Sequence, residues 1–306
     1  MTTSTWRDTP ERAQTFWITL LLWIARYGGR PLARLILWPT VLWFWLTAPA
    51  ARRASQQYLR RVCSHPVRIY HSFKHFHTFA SVTLDKVFIF LGQSLHWQVT
   101  IHNREVMDEL QAQKQGALLL VAHIGSFEVM RVRGTKIRKM DIRILMNRAV
   151  GARLNHLIER LNPDLAKAII DTSGSDTDLI LRLKAALDQG ALIGLMADRL
   201  HHPQERTVLC DFLGTPAYFP AKPWLLAHIL KVPIILAIGT YHGGRRYEIS
   251  FTHLDTIAPP SATPVPRAHR DALIQSQAQA YATFLADKLR ANPYNWFNFY
   301  DFWAAP

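Results

Sequence analysis

A histidine and a glutamate stand five positions apart in the segment VAHIGSFEVMR, at His123 and Glu128. A histidine of near-neutral pKa can remove a proton from a hydroxyl, and a carboxylate on its other ring nitrogen fixes the tautomer and stabilises the imidazolium. The two residues could therefore act as a general base and its orienting acid. Because this spacing occurs often by chance, a loop histidine near a surface carboxylate is the alternative interpretation.

The surrounding residues favour a site. The apolar run before His123 predicts a strand over Ala117–Ala122, which places the histidine at a carboxyl end, where sites gather in α/β folds. Gly125 and Ser126 permit a tight turn. A helix that begins near Ser126 would hold Glu128 in its first turn, with its carboxylate able to fold back toward His123. Backbone amides at such a helix start can stabilise an oxyanion.

Strands and helices alternate from residue 97 onward. The predicted strands are Trp97–His102, Ala117–Ala122, Ile142–Met146, Ala168–Ile170, Leu192–Met196, Pro233–Thr240 and Tyr247–Thr252. The predicted helices are Val106–Gln113, Phe127–Arg133, Ala152–Leu161, Asp176–Gln189, Lys222–Leu230 and Arg267–Arg290, with Asp176 as an N-cap and Gly190 as a C-cap. Residues 55–91 are predicted to be helical. The pattern indicates an α/β fold with a mixed, mostly parallel sheet flanked by helices.

The first 50 residues contain two apolar stretches, 16–25 and 35–47, each shorter than the roughly 20 residues of a spanning helix. Arg26, Arg30 and Arg34 lie between them. We expect a helix, a break and a second helix in one leaflet, with the arginines reaching the headgroups. One tilted transmembrane helix is the alternative. The sequence thus predicts a membrane-associated segment over 1–50 and a catalytic domain over 51–306.

Charge and aromatic content also indicate a membrane. The net charge is +14, and residues 1–80, with 11 basic and two acidic side chains, carry +9 of it. Six of the ten tryptophans lie in the first 45 residues, as in a membrane interface and unlike a polar nucleic-acid arm. An anionic membrane is therefore the expected partner, and nucleic acid is not. Basic residues at 52–61 favour the cytoplasmic side.

Metal and disulfide chemistry find little support. Cys63 and Cys210 are the only cysteines, so no disulfide framework is expected. The spacing of His71, His75 and His77 includes a pair suited to a metal, but with no third ligand nearby we interpret the segment as a packed amphipathic helix.

Three blocks in order resemble one family. GALLLVAHIGSFEVMR resembles the His-x4-Asp/Glu box of the lysophospholipid acyltransferase superfamily, and more closely its bacterial lipid A biosynthesis acyltransferase branch, which has Glu at the acid position. Residues 192–235 resemble that branch's block of an Asp, a downstream Arg, a Phe-x-Gly step and an apolar helix. NPYNWFNFYDFW, at 292–303, is similar to its aromatic C-terminal signature. Asp198-Arg199-Leu200 departs from the Asp-Gln-Asp of the lipid A enzymes, which bears on the acceptor.

The resemblance implies a glycerolphosphate-acyltransferase-like fold and transfer of a fatty acyl group to a hydroxyl of a lipid or glycolipid. The donor would be an acyl-acyl carrier protein or acyl-CoA thioester. His123 would be the general base and Glu128 its orienting partner, with the amides of Gly125, Ser126 and Phe127 as candidates for the oxyanion hole. No cofactor or metal is needed. The implied location is the cytoplasmic face of the bacterial inner membrane.

Other residues receive roles from the same resemblance. Arg206 would face a phosphate or other anionic group, unless it is an ordinary surface arginine. Asp198 and Arg199 would form an ion pair that shapes the pocket or would bind the substrate directly, while Phe212 and Gly214 would form the wall beside the acyl chain. The C-terminal aromatic block is either a wall or membrane-facing lip, or an anchor in the core. A thioesterase on the same scaffold and a non-catalytic lipid-binding protein are the alternative functions.

Overall fold

The structure, a computed structural model, describes residues 29–93, 97–146, 167–200, 204–254 and 267–304. The apolar stretch 16–25 and the helix predicted at 152–161 lie outside the described residues. The helices are α1 (Gly29–Thr47), α2 (Pro49–Val62), α3 (Ile69–Phe90), α4 (Glu105–Ala112), α5 (Phe127–Val132), α6 (Asp176–Asp188), α7 (Lys222–Leu230) and α8 (Arg267–Ala291). A π-helical turn, Arg133–Ile137, continues α5. The strands are β1 (Gln98–His102), β2 (Ala117–Val121), β3 (Ile142–Met146), β4 (Ile169–Asp171), β5 (Leu192–Met196), β6 (Thr207–Phe212), β7 (Thr215–Pro220), β8 (Ile234–Tyr241) and β9 (Arg246–His253).

The main sheet in the described residues has the strand order β1-β9-β8-β2-β5-β3-β4. Strands β8, β2, β5, β3 and β4 run parallel, β9 is antiparallel to β8, and β1 is parallel to β9. Side chains of β2 enter both faces: Leu118 and Leu120 join a core with α6, α7 and α8, whereas Leu119 packs with α1, α3 and α5. The predicted α/β fold, with a mixed and mostly parallel sheet between helices, is confirmed.

Most predicted boundaries lie within two residues of the observed ones, and those of β3, β5 and α7 are identical. The predicted cap of α6 was wrong by one residue. Ser175, rather than Asp176, is the N-cap, because its hydroxyl accepts a hydrogen bond from the amide of Asp178. Gly190 directly follows the C-cap, Gln189, in the left-handed region at φ +83°.

A second, two-stranded sheet was not predicted. Strands β6 and β7 form an antiparallel hairpin in which Thr207 pairs with Pro220 and Phe212 with Thr215. The connecting residues, Leu213 and Gly214, both have positive φ, at +55° and +76°, which suits a tight two-residue turn. The hairpin packs on α8, where the side chain of Gln275 donates to the carbonyl of Leu209.

The described part of the N-terminal segment, Gly29–Thr47, is one helix, and because the residues before Gly29 lie outside the described residues, a break between two helices stays a prediction. Helix α1 is continuous through Pro31 and Arg34, because a proline near a helix start removes no intrahelical hydrogen bond. Arg30 and Arg34 do not extend away from the protein. Arg30 forms a bidentate pair with Asp85 at 2.8–3.0 Å, and Arg34 donates to the hydroxyl of Tyr241.

The described residues contain no single helix that meets the length and hydropathy required to cross a membrane. Helices α1 and α2 meet that requirement together, but they are bent by 95° at their junction. One face of α1 is buried, through Ala33, Leu37 and Val41, against α3. The other face exposes a row of apolar side chains, namely Leu32, Leu35, Trp38, Leu42, Trp43, Phe44 and Leu46.

The helical prediction over 55–91 is confirmed except for a break at residues 63–68, which contains Pro66. His71, His75 and His77 lie on α3. The first two are buried, and the ring of His77 lies 4.5 Å from that of Trp38. Across the described residues, no group of three or more His, Cys, Asp or Glu side chains is placed to hold a metal ion.

Candidate functional site

His123 and Asp198 meet because their strands are neighbours in register. Val121 of β2 pairs with Met196 of β5, and each of the two polar residues follows two positions later. One carboxylate oxygen, Oδ1, lies 2.8 Å from His123 Nδ1, and the other accepts the backbone N–H of His123 at 3.0 Å. Nδ1 is therefore the protonated nitrogen in neutral His123. The Nε2 atom has no hydrogen-bond partner in the described part of the chain and is the nitrogen left to act as a base.

The expected contact between His123 and Glu128 is not the one that the structure shows. Glu128 lies in the first turn of α5, as predicted, but its Oε1 lies 3.0 Å from Lys86 Nζ on α3, and its Oε2 accepts from the Ser126 hydroxyl at 3.1 Å. These donors hold Glu128, and the carboxylate that contacts the imidazole is instead that of Asp198, at the neighbouring strand end. A role of Glu128 in catalysis stays a prediction.

Burial and charge tune the histidine. Burial lowers the pKa of His123 below its ordinary value of 6.5; Asp198 opposes this effect, whereas Arg199 and Lys86 reinforce it. The imidazole is thus neutral at pH 7, as a general base must be, while its side chain remains 29% exposed. Burial alone would raise the pKa of Asp198, but the charges of His123 and Arg199 and the Trp296 hydrogen bond hold it well below its ordinary value.

Lys86 outweighs the effect of burial on the pKa of Glu128. Burial would raise the pKa of this carboxyl, but the charge and hydrogen bond of Lys86, with smaller contributions from the Glu128 amide and the Ser126 hydroxyl, lower the pKa below the ordinary value. Glu128 is therefore ionised at neutral pH and neutralised by Lys86, so it adds little net negative charge to the site.

The C-terminal aromatic block completes the site. Trp296 is fully buried, forms an isolated bridge with Ile124, and donates its indole N–H to Asp198 at 2.8 Å. Trp296 and Phe302 pack in the core, so the anchor interpretation of this block holds for them. Phe297 and Phe299 extend the block toward α3, where their rings lie near Phe79.

Arg199 is held differently from its prediction. Its guanidinium donates to the side-chain oxygen of Asn298 and to the carbonyl of Phe297, and lies 5.7 Å from the ring centroid of Tyr300. Asp198 raises the pKa of Arg199, in opposition to burial, but the hydrogen bonds of Asp198 go to His123 and Trp296. The two residues thus interact through charge rather than through a direct ion pair.

Gly125 and Ser126 were expected to bind substrate, and their backbone amides are already used. The amide of Gly125 donates to the carbonyl of Asn295, and that of Ser126 to Gly239, each at 2.9 Å. Gly125 has a φ of +48°, and a Cβ there would lie 1.9 Å from the Gly239 oxygen. Ser126 instead caps α5 through its hydroxyl, which accepts from the amide of Val129.

The remaining predicted residues lie around hairpin β6–β7. Arg206 precedes β6, is half exposed, and pairs with Asp271 of α8 at 2.9 Å. Phe212 is fully buried and packs against Phe219, Phe302 and the site residue Trp296, and its role beside an acyl chain stays a prediction. Gly214 lies in the tight turn, where a Cβ would meet no atom within 4 Å. Among the described residues, Phe212 reaches the site through its contact with Trp296, whereas Arg206 and Gly214 make no such contact.

The sequence prediction missed Lys86 and Trp296 as site residues. Trp296 lies 98 positions from Asp198, and nothing local in the sequence links the two. The partnership of His123 with Asp198 did leave a signal, because each stands just past the carboxyl end of a predicted strand: His123 directly after Ala117–Ala122, and Asp198 two residues after Leu192–Met196. Parallel pairing of those strands would have placed the two side chains together.

Comparison with known proteins identifies a family for the chain. The bacterial lipid A biosynthesis acyltransferase family matches residues 66–304, a range that includes all the site residues described above. No curated protein matches the chain. Membership implies acyl transfer, with an acyl donor and a lipid acceptor. With most of its length covered by this match, the chain belongs to the bacterial lipid A biosynthesis acyltransferase family.

Proposed function

We propose that the protein is a membrane-associated O-acyltransferase that moves a fatty acyl group from a thioester to a hydroxyl of a lipid or glycolipid acceptor. The observation that carries this proposal is the His123–Asp198 pair. A buried carboxylate holds Nδ1, and the partly exposed Nε2 is left without a hydrogen-bond partner among the described residues. This arrangement suits proton removal from a hydroxyl that arrives with the substrate, so no nucleophile from the protein is required.

The reaction requires only the two substrates and His123, which takes up one proton and later returns it. Nε2 of His123 takes the proton of the acceptor hydroxyl as its oxygen bonds to the thioester carbonyl carbon. The tetrahedral oxyanion then collapses, the carbon–sulfur bond breaks, and the imidazolium returns the proton to the leaving thiolate. Asp198 stabilises the imidazolium while it exists and keeps Nε2 directed away from the carboxylate.

The oxyanion needs a donor that is not already used. Of the three amides proposed, those of Gly125 and Ser126 are bonded to Asn295 and Gly239. The amide of Phe127, at the first position of α5, is the one we retain, because first-turn amides lack intrahelical partners and carry the positive end of the helix dipole.

Lys86 and Arg199 lower the pKa of His123 from two sides, so both place positive charge near the site. Because Lys86 is paired with Glu128 and Arg199 lies near Asp198, it is the net charge of +14 that would attract the phosphates of a carrier protein's prosthetic group, of coenzyme A, or of an anionic glycolipid. Arg206 stays a candidate for such a contact. Its pair with Asp271 is exposed, and exposed pairs cost little to break.

The exposed face of α1 supports membrane association, and the basic residues at 52–61 favour the cytoplasmic side of the inner membrane. Trp38 and Trp43 stand in a row of exposed apolar side chains, and a contiguous apolar surface of this kind is uncommon on a protein surrounded by water. The exposed arginines Arg53 and Arg60 on the adjoining α2 would meet anionic headgroups. Helix α1 packs on α3, and α3 also carries Lys86, so the helix with the exposed apolar face and the site both contact α3.

Lipid mass spectrometry tests the proposal directly. A strain that lacks the chain should lose one acyl mass from a membrane lipid, and the wild-type chain, but not His123→Ala, should restore it. The lost mass would name both acceptor and acyl chain. Incubation of the purified protein with acyl thioester alone distinguishes the thioesterase alternative, since rapid release of free acid without an acceptor would contradict the transferase proposal. Full complementation by His123→Ala would instead favour a non-catalytic lipid-binding protein.

A further inference from the structure

The backbone of residues Asn295–Phe297 is fixed against the turn that carries His123. The amide of Phe297 donates to the carbonyl of His123 at 2.8 Å, and the carbonyl of Asn295 accepts from Gly125 at 2.9 Å. On its other side, the Asn295 side chain bonds both backbone groups of Tyr241, at 2.7 and 3.1 Å. The segment is therefore held from two directions, and the side chain between these bonds, Trp296, has a set position.

Trp296 uses that position to hold the carboxylate. Its indole N–H donates to Asp198 Oδ2, the oxygen that also accepts the His123 amide, while Oδ1 faces His123 Nδ1. Because the Trp296 indole, the His123 amide and His123 Nδ1 all donate to it, the planar carboxylate of Asp198 can adopt only one orientation. We propose that Trp296 is a positioning residue for the acyl transfer proposed above, and that it fixes the orientation in which Asp198 holds His123.

His75 adds a further hydrogen bond on the other side of Trp296. Its Nε2 lies 2.6 Å from the Trp296 carbonyl, and its Nδ1 lies 2.9 Å from the hydroxyl of Ser55. Because a carbonyl only accepts, Nε2 carries the proton and Nδ1 accepts from Ser55. Burial lowers the pKa of His75 to about 4, against a smaller opposing contribution from the Trp296 carbonyl, so this neutral donor persists at physiological pH. His75 thus holds Trp296, which holds Asp198.

Trp296 and His75 are uncharged at neutral pH, so they act on His123 through orientation and hydrogen bonding. Lys86 on α3 and Arg199 after β5 shift the pKa of His123, and Arg199 also shifts that of Asp198. The charge of Asp198 in turn raises the pKa of Tyr281 on α8 and of Tyr300 in the C-terminal block. None of them needs to be altered to test Trp296.

The test compares Trp296→Phe with Trp224→Phe in the full-length protein. Both tryptophans are fully buried, but the indole N–H of Trp224 has no hydrogen-bond partner among the described residues. Trp296→Phe should lower kcat about tenfold or more, because a misoriented base loses much of its effect, and should leave KM within about twofold. With the Trp296 donor removed, the Asp198 carboxylate keeps more of its negative charge, so the pKa of His123 and with it the acid limb of the pH–rate profile should move upward by about half a pH unit or more. Trp224→Phe should leave that limb in place.

A nuclear magnetic resonance titration of His123 separates this inference from the proposed function. Imidazole nitrogen signals report the pKa of His123 without any substrate, and His123→Gln assigns the signal. A raised His123 pKa in Trp296→Phe supports the inference even if no acyl transfer is found. An unchanged His123 pKa in a folded Trp296→Phe would overturn it, whatever the activity.

Two further variants keep the test decisive. If Trp296→Phe does not fold, benzothienylalanine at position 296 keeps the ring volume and replaces the N–H with sulfur, and the same titration applies. His75→Leu should lower kcat, and His75→Gln, which retains a donor for the Trp296 carbonyl, should restore most of it. Equal kcat in the two His75 variants would contradict the proposed role of His75.

Discussion

Asp198, rather than Glu128, is the carboxylate that contacts the imidazole of His123, at 2.8 Å from Nδ1. The two residues occupy equivalent positions past the ends of paired parallel strands, so the contact is a product of sheet register rather than of nearness in sequence. Glu128 is turned toward Lys86, and its carboxylate is neutralised there.

This division predicts unequal effects of two isosteric substitutions. Asp198→Asn should lower kcat by about 100-fold or more, because an amide can donate to Nδ1 and stabilise the wrong tautomer. Glu128→Gln should have the smaller effect, about tenfold or less, because Lys86 loses a partner while Nδ1 keeps its own. Steady-state kinetics on both purified variants measures the difference. A larger loss of kcat in Glu128→Gln would assign the orienting role to Glu128 after all.

The turn after β2 should tolerate no side chain at Gly125. Gly125→Ala would bring a Cβ to 1.9 Å from the Gly239 carbonyl oxygen, so the turn that carries His123 must move away from β8. We expect the free energy of unfolding to fall by several kcal/mol and the activity to be lost. Gly214→Ala is the matched control, because it also has positive φ but open space around it, and should cost about 1 kcal/mol. Thermal unfolding of both variants measures these costs; similar shifts in Tm would contradict the steric argument.

The exposed face of α1 should determine membrane binding. Leu35 and Trp43 are 69% and 64% exposed, and replacing both with Glu should release the protein from anionic phosphatidylglycerol vesicles in a flotation assay. Leu181→Glu on α6 is the control, since Leu181 is 63% exposed but lies away from α1. If the double variant still floats with the vesicles, this face is not the membrane contact.

His75 should make the protein sensitive to acid. Its folded-state pKa of about 4 lies below its ordinary value of 6.5, so the unfolded chain takes up the proton first. The associated stability is complete above pH 6.5 and is lost progressively as the pH falls toward 4, by an amount on the order of 3 kcal/mol. Denaturant unfolding at pH 7, 5.5 and 4.5 should therefore show a steeper loss for wild type than for His75→Gln. Parallel pH dependence in the two proteins would show that His75 takes up its proton equally in both states.

The sheet was predictable because its strands are short apolar runs between turn residues, as in Leu192–Met196. Hairpin β6–β7 was missed even though Val208, Cys210 and Phe212 alternate as buried residues, since the prolines of β7 obscured the second strand. Its prolines are compatible with a two-stranded sheet, in which few backbone amides have to be paired.

The site was predictable only in part. His123 and the helix that begins at Phe127 follow from local pattern, whereas the choice between two nearby carboxylates depends on which strands are neighbours. The contacts of Trp296 and of Lys86 depend on how distant helices pack, and no spacing in the sequence encodes those distances. The same holds for Arg30, whose partner, Asp85, lies 55 residues away.

The packing of Asn295–Phe297 against the His123 turn sets an order of events during synthesis. The segment that carries Trp296 emerges from the ribosome after β2 and β5, which lead to His123 and Asp198, whereas α1 is the first described element to emerge. A nascent chain can therefore reach the bilayer surface while its histidine still lacks a fixed carboxylate. The site that we propose for acyl transfer is then complete only once Asn295–Phe297 have packed against the His123 turn, when α1 can already lie on the membrane.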